Sequence, residues 1–297
     1  MKLSSSVNIA GIKFGNALMN GAYINSKNLK DINALVSSAA GAVVVGSISV
    51  QPRNKNPGKN YWLHKEHFFS LNSYGLPNGG IPYFKEALPK MVKIAHSEGK
   101  PLVANVIGFS NSEFVELVGF AEESGADVVE LNFGCPNVWD GVHQKRIISY
   151  HASLVKDALS FISKQSPKIK ISVKISPLPP DILQEVSKAI IDSGIVQIVT
   201  ATNTYPNAAI TSGAKDNKFY DDKLVGLAGR ALKPISLGVV KQLRSLLPKD
   251  IYIIGAGGIS TATDVKDYIS AGASAVQIAT ALKEDGPSVF AKILHQE

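Results

Sequence analysis

One local pattern recurs four times along this chain and limits the folds that the chain can adopt. A stretch with helical periodicity ends in a small residue and a glycine, and an apolar run typical of a strand comes next. Glycine is favoured where a helix ends in a left-handed residue. The four junction glycines are Gly41, Gly125, Gly194 and Gly272. Helices that alternate with apolar strands predict an α/β fold with a parallel sheet.

Eight apolar runs are candidate strands, and helical stretches separate most of them. They lie at about 16–22, 42–47, 101–107, 127–132, 169–175, 195–201, 251–255 and 275–279. Their near-continuous apolar character is typical of strands that are covered on both faces. We therefore predict an α/β protein with a (β/α)8 TIM barrel. An open, doubly wound sheet is the alternative.

No linker divides the chain, so residues 1–297 are expected to form a single domain. Two stretches, 48–84 and 204–225, are too long and too rich in turn-forming residues for simple connections. A barrel of this kind carries its chemistry in the loops that follow the strands. Both stretches are therefore predicted to be inserted loops at the C-terminal face.

Composition argues against several classes of protein. The formal net charge is +7, but the basic residues are scattered, so no nucleic-acid partner is expected. No apolar stretch is long enough to cross a membrane. A single cysteine fits a reducing compartment, and we predict a cytoplasmic protein. The histidines lack metal-ligand spacing, so no metal centre is expected.

The single cysteine, Cys135, follows an apolar run and lies between two amides, Asn132 and Asn137. It cannot form an internal disulfide, so its thiol is either an inert buried group or a reactive one. Amide side chains beside the sulfur are suited to hold a flat, hydrogen-bonding ligand. On position alone, both interpretations stay open.

Polar residues gather at the predicted C-terminal ends of the strands, and together they favour a pocket. They include Asn20, Ser47, Ser49, Asn105, Asn132, Lys174, Thr202, Asn203 and Thr204, with residues 72–78 in the loop after the second strand. Gly255-Ala-Gly-Gly258 and Ala279-Thr280 follow the last two strands. This combination favours a phosphate site, because glycines let backbone amides approach the oxygens and a following helix adds positive potential.

Lys174 lies within an apolar strand, Ile171-Ser-Val-Lys-Ile-Ser176, so its charge requires a compensating group. A structural ion pair is one candidate, although the predicted strand ends supply few acids. The N1–C2=O2 edge of a flavin is another candidate, because reduced flavin carries negative charge there.

Together these motifs resemble the class 1 dihydroorotate dehydrogenases, most closely their soluble homodimeric subclass. The resemblance extends from about Phe14 to about Phe290. The shared motifs are Met19-Asn20, Arg53 with Asn56-Pro57, Asn72-Ser-x-Gly-Leu-Pro-Asn78, Asn132-x-x-Cys-Pro-Asn-Val138, Val173-Lys174, Asn203-Thr204, Gly255-x-Gly-Gly258 and Gln277-x-x-Thr-Ala281. The resemblance implies a barrel with FMN across its mouth that oxidises (S)-dihydroorotate to orotate in the biosynthesis of UMP.

The resemblance also implies a role for each matching residue. Cys135, on a mobile loop, would remove the proton from C5 of dihydroorotate while hydride passes from C6 to flavin N5. FMN would be held by Ala22, Ser47, Asn105, Asn132, Lys174, Gly229, Gly257, Gly258, Ala279 and Thr280. Dihydroorotate would be held by Asn72, Gly75, Leu76, Asn132, Asn137, Asn203 and Thr204.

Two positions depart from the family's pattern. The second strand of the family usually ends with a lysine beside flavin and substrate, where this chain has Gly46. The residue before Cys135 is Gly134 instead of a serine. Either Lys59 or Arg53 replaces the lost cation, or the substrate lacks a carboxylate, as dihydrouracil does.

The resemblance implies fumarate as the electron acceptor of a homodimer. A form linked to NAD is the alternative, and its iron–sulfur cluster would come from a partner chain because this chain has one cysteine. A non-catalytic barrel that binds a phosphorylated nucleotide is a third hypothesis. The presence of Cys135 and Lys174 argues against it.

Overall fold

The structure is a computed structural model that describes residues 2–64, 69–140, 143–209 and 224–296. The strands are β1 (Val7–Ile9), β2 (Ile12–Phe14), β3 (Leu18–Asn20), β4 (Val43–Ile48), β5 (Tyr61–His64), β6 (Phe69–Asn72), β7 (Leu102–Val106), β8 (Val128–Asn132), β9 (Trp139–Asp140), β10 (His143–Gln144), β11 (Lys170–Ile175), β12 (Val196–Ala201), β13 (Tyr205–Ala208), β14 (Val225–Gly229), β15 (Tyr252–Ala256) and β16 (Ala275–Ile278). The α-helices are α1 (Leu29–Val36), α2 (Gly80–Ser97), α3 (Asn111–Glu123), α4 (Ala152–Ser163), α5 (Pro180–Ser193), α6 (Lys233–Leu246), α7 (Ala262–Ser270), α8 (Thr280–Asp285) and α9 (Ser288–His295). Short 3-10 helices cover Ile148–Tyr150 and Arg230–Leu232.

Eight parallel strands form the barrel, in the order β3-β16-β15-β12-β11-β8-β7-β4. A parallel bridge between Met19 and Ala42 joins the two end strands and closes the sheet. The predicted (β/α)8 barrel is confirmed, and the alternative of an open sheet is wrong. None of the described helices is both long and apolar enough to span a membrane.

Alternate side chains of the barrel strands enter two separate cores, which explains their continuous apolar character. Val43 and Val45 face the surrounding helices in one core. Val44 belongs to the second core, inside the barrel, together with Ile9 and Phe14 of the β1–β2 hairpin. The hairpin therefore packs against the barrel interior.

Three of the four junction glycines adopt the left-handed conformation that the sequence predicts. Their φ angles are 81° at Gly125, 66° at Gly194 and 109° at Gly272. The prediction for Gly41 is wrong, because α1 already ends at Val36. Position 41 requires glycine for a different reason, because a β-carbon there would overlap the backbone of Asn16.

The two predicted insertions form a sheet instead of separate loops. Strands β5 and β6 from the first insertion join β13 and β14 from the second in the antiparallel order β13-β14-β6-β5. The two insertions meet where β6 pairs with β14, for example through Leu71 and Leu227. This four-stranded sheet reaches the barrel mouth, where Ser70 Oγ lies 3.2 Å from Thr280 Oγ1. Residues 210–223 of the second insertion lie outside the described residues.

Candidate active site at the barrel mouth

A cavity opens between the barrel strand ends and the four-stranded sheet. Cys135 lines this cavity. So does every residue predicted to hold dihydroorotate, namely Asn72, Gly75, Leu76, Asn132, Asn137, Asn203 and Thr204. Of the residues predicted to hold FMN, this cavity contains Ala22, Ser47, Asn132, Lys174, Ala279 and Thr280. Fold topology thus brings together side chains that are far apart in sequence.

A second cavity shares part of this lining and extends it toward the glycine-rich turn. It contains three further residues predicted to hold FMN, Gly229, Gly257 and Gly258, of which the last two belong to the predicted phosphate turn. Gly257 and Gly258 have φ angles of 130° and 69°, which glycine adopts with little strain. Within the described part of the chain, their two amides donate no hydrogen bond. A narrow turn with unbonded amides has the character of an anion site.

The helix after this turn does not supply the positive potential that the sequence suggests. The amides of Ser260 and Thr261, directly before α7, each donate to Asp264 Oδ2 at 2.9 Å. Asp264 also pairs with Lys233 Nζ at 2.5 Å. The amides at the start of α7 are therefore already hydrogen-bonded to Asp264. Helix α8, in contrast, begins at Thr280, and this first residue lines the second cavity.

Amide and hydroxyl side chains form a hydrogen-bonded chain beneath the first cavity. Asn203 Nδ2 donates to Asn132 Oδ1 at 3.0 Å, and Asn132 Nδ2 donates to Ser47 Oγ at 3.1 Å. Ser47 Oγ donates to Asn105 Oδ1 at 2.5 Å, and Asn105 Nδ2 donates to Glu130 Oε1 at 2.7 Å. Asn105 is fully buried and lines neither cavity. Asn105 therefore acts on the cavity through its hydrogen bond with Ser47, while its other amide bond is to Glu130.

Lys174 is paired with a carboxylate that sequence reasoning missed. Its Nζ lies 2.6 Å from Gln277 Oε1 and 3.8 Å from Glu130 Oε1. Glu130 is fully buried in β8, where Oε2 also accepts hydrogen bonds from Thr200 and Gln277. The structural ion pair that the sequence disfavours at Lys174 is therefore present, with Glu130 as its partner. The pairing leaves the Lys174 side chain on the surface of both cavities.

Two buried polar atoms in this region have no partner among the described residues, Asn137 Oδ1 and Thr204 Oγ1. Leaving such an atom unpaired costs about 1–3 kcal/mol. Asn137 Nδ2 donates to Asn72 Oδ1 at 2.7 Å, which fixes the orientation of the Asn137 amide. A polar ring that offers both donors and acceptors would satisfy the two unpaired atoms.

The Cys135 thiol is subject to opposing effects of burial and of positive charge. Burial raises its pKa to about 11, whereas the Asn137 amide and the charges of Lys27, Arg53 and Lys174 act in the opposite direction. The thiol is consequently protonated at neutral pH, and the cations stabilise its thiolate form. Placement in a cavity that amide, hydroxyl and ammonium side chains also line favours the reactive interpretation of Cys135 over an inert core thiol.

Both departures from the family's pattern have a structural cause. Gly46 has a φ of 127°, and a β-carbon there would overlap the Asn105 carbonyl oxygen. A β-carbon at Gly134 would overlap the Ser176 amide, and Ser176 Oγ donates to the Gly134 carbonyl at 2.9 Å. The backbone is thus packed too closely for a β-carbon at either position, and a lysine at position 46 has no room.

Lys27, a cation that the sequence analysis did not select, lines the cavity together with Gly46. Neither Lys59 nor Arg53 lines the cavity. The Arg53 guanidinium lies over the Phe109 ring, 4.6 Å from its centroid. Lys27 follows the first barrel strand by several residues, so its sequence position does not mark it as a residue of the strand end.

Comparison with known proteins decides the family. The profile of the family described as "Dihydroorotate dehydrogenase" matches residues 4–296. A Thermoplasma acidophilum protein named "Dihydroorotate dehydrogenase B (NAD(+)), catalytic subunit" is 35% identical over 98% of this chain and 91% of its own length. The chain belongs to the dihydroorotate dehydrogenase family. The resemblance that the sequence motifs indicate is therefore confirmed.

Other members of the dihydroorotate dehydrogenase family are named for two different electron acceptors, NAD and fumarate. A Methanocaldococcus jannaschii protein with the same name as the Thermoplasma one is 32% identical over 96% of this chain and 90% of its own length. A Lactococcus lactis subsp. cremoris protein named "Dihydroorotate dehydrogenase A (fumarate)" is 29% identical over 97% of this chain and 91% of its own length. The family assignment thus covers both the NAD-linked and the fumarate-linked forms.

Proposed function

We propose that this protein uses FMN to oxidise (S)-dihydroorotate to orotate in pyrimidine biosynthesis. One observation gives the proposal its main support. Cys135, Lys174 and all residues predicted to hold dihydroorotate line one cavity in a barrel of the dihydroorotate dehydrogenase family. Relatives named for this activity match nearly the whole chain, which supports the same assignment.

The residues at the barrel mouth fit FMN. The unbonded amides of Gly257 and Gly258 suit its phosphate, and the cavity they line continues into the cavity that contains Cys135. The Lys174 ammonium would hold the N1–C2=O2 edge of the ring system. When bound, FMN supplies the hydride acceptor at N5.

The amides above this position would bind the substrate ring. Asn137 Oδ1 and Thr204 Oγ1, the two unpaired atoms, would accept from a ring N–H and donate to a ring carbonyl. Asn72 and Asn203 hold Asn137 and Asn132 in place through hydrogen bonds of 2.7 and 3.0 Å. Binding a rigid ring against prepositioned amides orients it for reaction with little loss of side-chain entropy.

Cys135 would act as the base. Its thiolate accepts the proton from C5 of dihydroorotate while hydride leaves from C6, and the C5=C6 double bond of orotate forms. The nearby charges of Lys27, Arg53 and Lys174 favour the thiolate that this step requires. The substrate loses one proton and one hydride, so the overall oxidation involves two electrons.

We propose a cytoplasmic homodimer with fumarate as the acceptor. The purified chain is expected to release about one FMN per chain on denaturation, and to form orotate from dihydroorotate when fumarate is supplied. Liquid chromatography of the released flavin and ultraviolet absorbance of orotate measure both. Turnover with NAD, obtained only after an iron–sulfur partner chain is added, would instead assign the protein to the NAD-linked form.

A further inference from the structure

Lys27 lies beside the position where the family's strand lysine is missing. The Gly46 amide donates to the Ser26 carbonyl at 3.1 Å, and Ser26 Oγ donates to the Gly46 carbonyl at 3.3 Å. These bonds bring the segment after β3 alongside the end of β4. As a result, Lys27 and Gly46 line the same cavity as Cys135 and Asn72.

The Lys27 ammonium is anchored to the loop predicted to bind substrate. Nζ donates to the Pro77 carbonyl at 2.8 Å, directly after Gly75 and Leu76 in the chain. This bond uses one of its three donors. Lys27 forms no ion pair with any carboxylate of the described residues. The remaining donors are thus available to an anion in the cavity.

Electrostatics at Lys27 agrees with this geometry. Burial lowers its pKa to about 8, and the interaction with Cys135 acts in the opposite direction. A desolvated ammonium without a carboxylate partner destabilises the folded chain. Such a cost is typical of a binding site, where the missing partner arrives with the ligand.

We propose that Lys27 binds the carboxylate of the substrate and thereby replaces the strand cation that Gly46 lacks. The inference rests on the proposed function and narrows it. It assigns an anionic ring such as dihydroorotate as the substrate, in preference to a neutral ring such as dihydrouracil. Specificity for the carboxylate therefore comes from the loop after β3 instead of from β4.

The test compares ligands with and without the carboxylate in the FMN-loaded protein. Binding of orotate and of uracil is measured from changes in flavin absorbance for the wild type, Lys27→Met and Lys27→Arg. Loss of a charged hydrogen bond predicts orotate binding about 10- to 100-fold weaker in Lys27→Met. Uracil binding should change less than about twofold, and Lys27→Arg should recover part of the orotate affinity. Lys30→Met, at an exposed position early in α1, is the matched control and should behave as the wild type.

Thermal stability provides a second readout, with a sign that a structural role would not produce. The lowered pKa means that Lys27 destabilises the fold below pH 8 and has no effect above about pH 10.5. Lys27→Met is therefore expected to raise the melting temperature at pH 7, by an amount that shrinks as the pH rises. A lower melting temperature, together with equal losses of orotate and uracil binding, would overturn the proposal.

The outcomes also separate this inference from the proposed function. Reduction of the flavin by dihydroorotate, with unchanged orotate affinity in Lys27→Met, would refute the role of Lys27 and leave the function standing. No reduction by dihydroorotate, with a Lys27-dependent preference for orotate over uracil, would refute the function and support the anion site.

Discussion

Replacement of Cys135 by alanine is expected to slow flavin reduction by dihydroorotate about 10²- to 10⁴-fold, the usual contribution of a positioned base. The variant should keep its FMN and its affinity for orotate, because the residues proposed for the phosphate and the substrate ring are unchanged. Anaerobic stopped-flow absorbance measures the rate, and equilibrium titration measures the affinity. Cys135→Ser is a near-isosteric control that should also be slow, since a hydroxyl is a poorer nucleophile and base than a thiol near neutral pH.

The pH dependence of the same reaction distinguishes a base from a packing residue. Because burial raises the Cys135 pKa to about 11, the thiolate fraction grows about tenfold per pH unit below that value. The wild-type rate of flavin reduction should therefore rise between about pH 7 and pH 10, and the rate in Cys135→Ala should not. Full activity in the alanine variant, or a wild-type rate that does not change with pH, would show that Cys135 is not the base.

Replacement of Lys174 by methionine is expected to affect both stability and flavin binding. The substitution leaves the fully buried Glu130 carboxylate without its cation. Breaking a buried pair in this way costs about 3–5 kcal/mol, which lowers the melting temperature by about 10 °C in a domain of this size. The protein should also lose most of its FMN on dialysis, because the proposed contact to the flavin edge is gone.

A double variant separates these two effects. Lys174→Met combined with Glu130→Gln leaves no unpaired buried charge, so it should regain part of the lost stability. Its FMN content should stay as low as that of Lys174→Met. Recovery of flavin binding in the double variant would mean that Lys174 only balances Glu130 and does not contact the flavin.

Local sequence signals were sufficient to predict the barrel. Apolar runs mark strands buried on both faces, and glycines such as Gly125 and Gly194 end helices in the left-handed conformation. Gly41 matches the same pattern but serves close packing against Asn16. The sequence pattern cannot distinguish the two roles, because glycine is required both where φ is positive and where a β-carbon would overlap a neighbouring residue.

Residues at strand ends were also predictable, whereas contacts between distant elements were not. Cys135, Asn203 and Thr204 follow apolar runs and reach one cavity through the barrel topology. The pairing of β6 with β14 joins two insertions whose separate sequences resemble loops. Lys27 and Glu130 depend on tertiary placement, one through the bonds between Ser26 and Gly46 and the other through burial in β8.

Anaerobic titration of the FMN-loaded protein with dihydroorotate, followed by visible absorbance, tests the proposed oxidation itself. Full bleaching of the flavin is expected at about one equivalent, with orotate as the product and no bleaching by dihydrouracil. Bleaching by dihydrouracil, with none by dihydroorotate, would contradict both the proposed substrate and the assignment of Lys27 to its carboxylate.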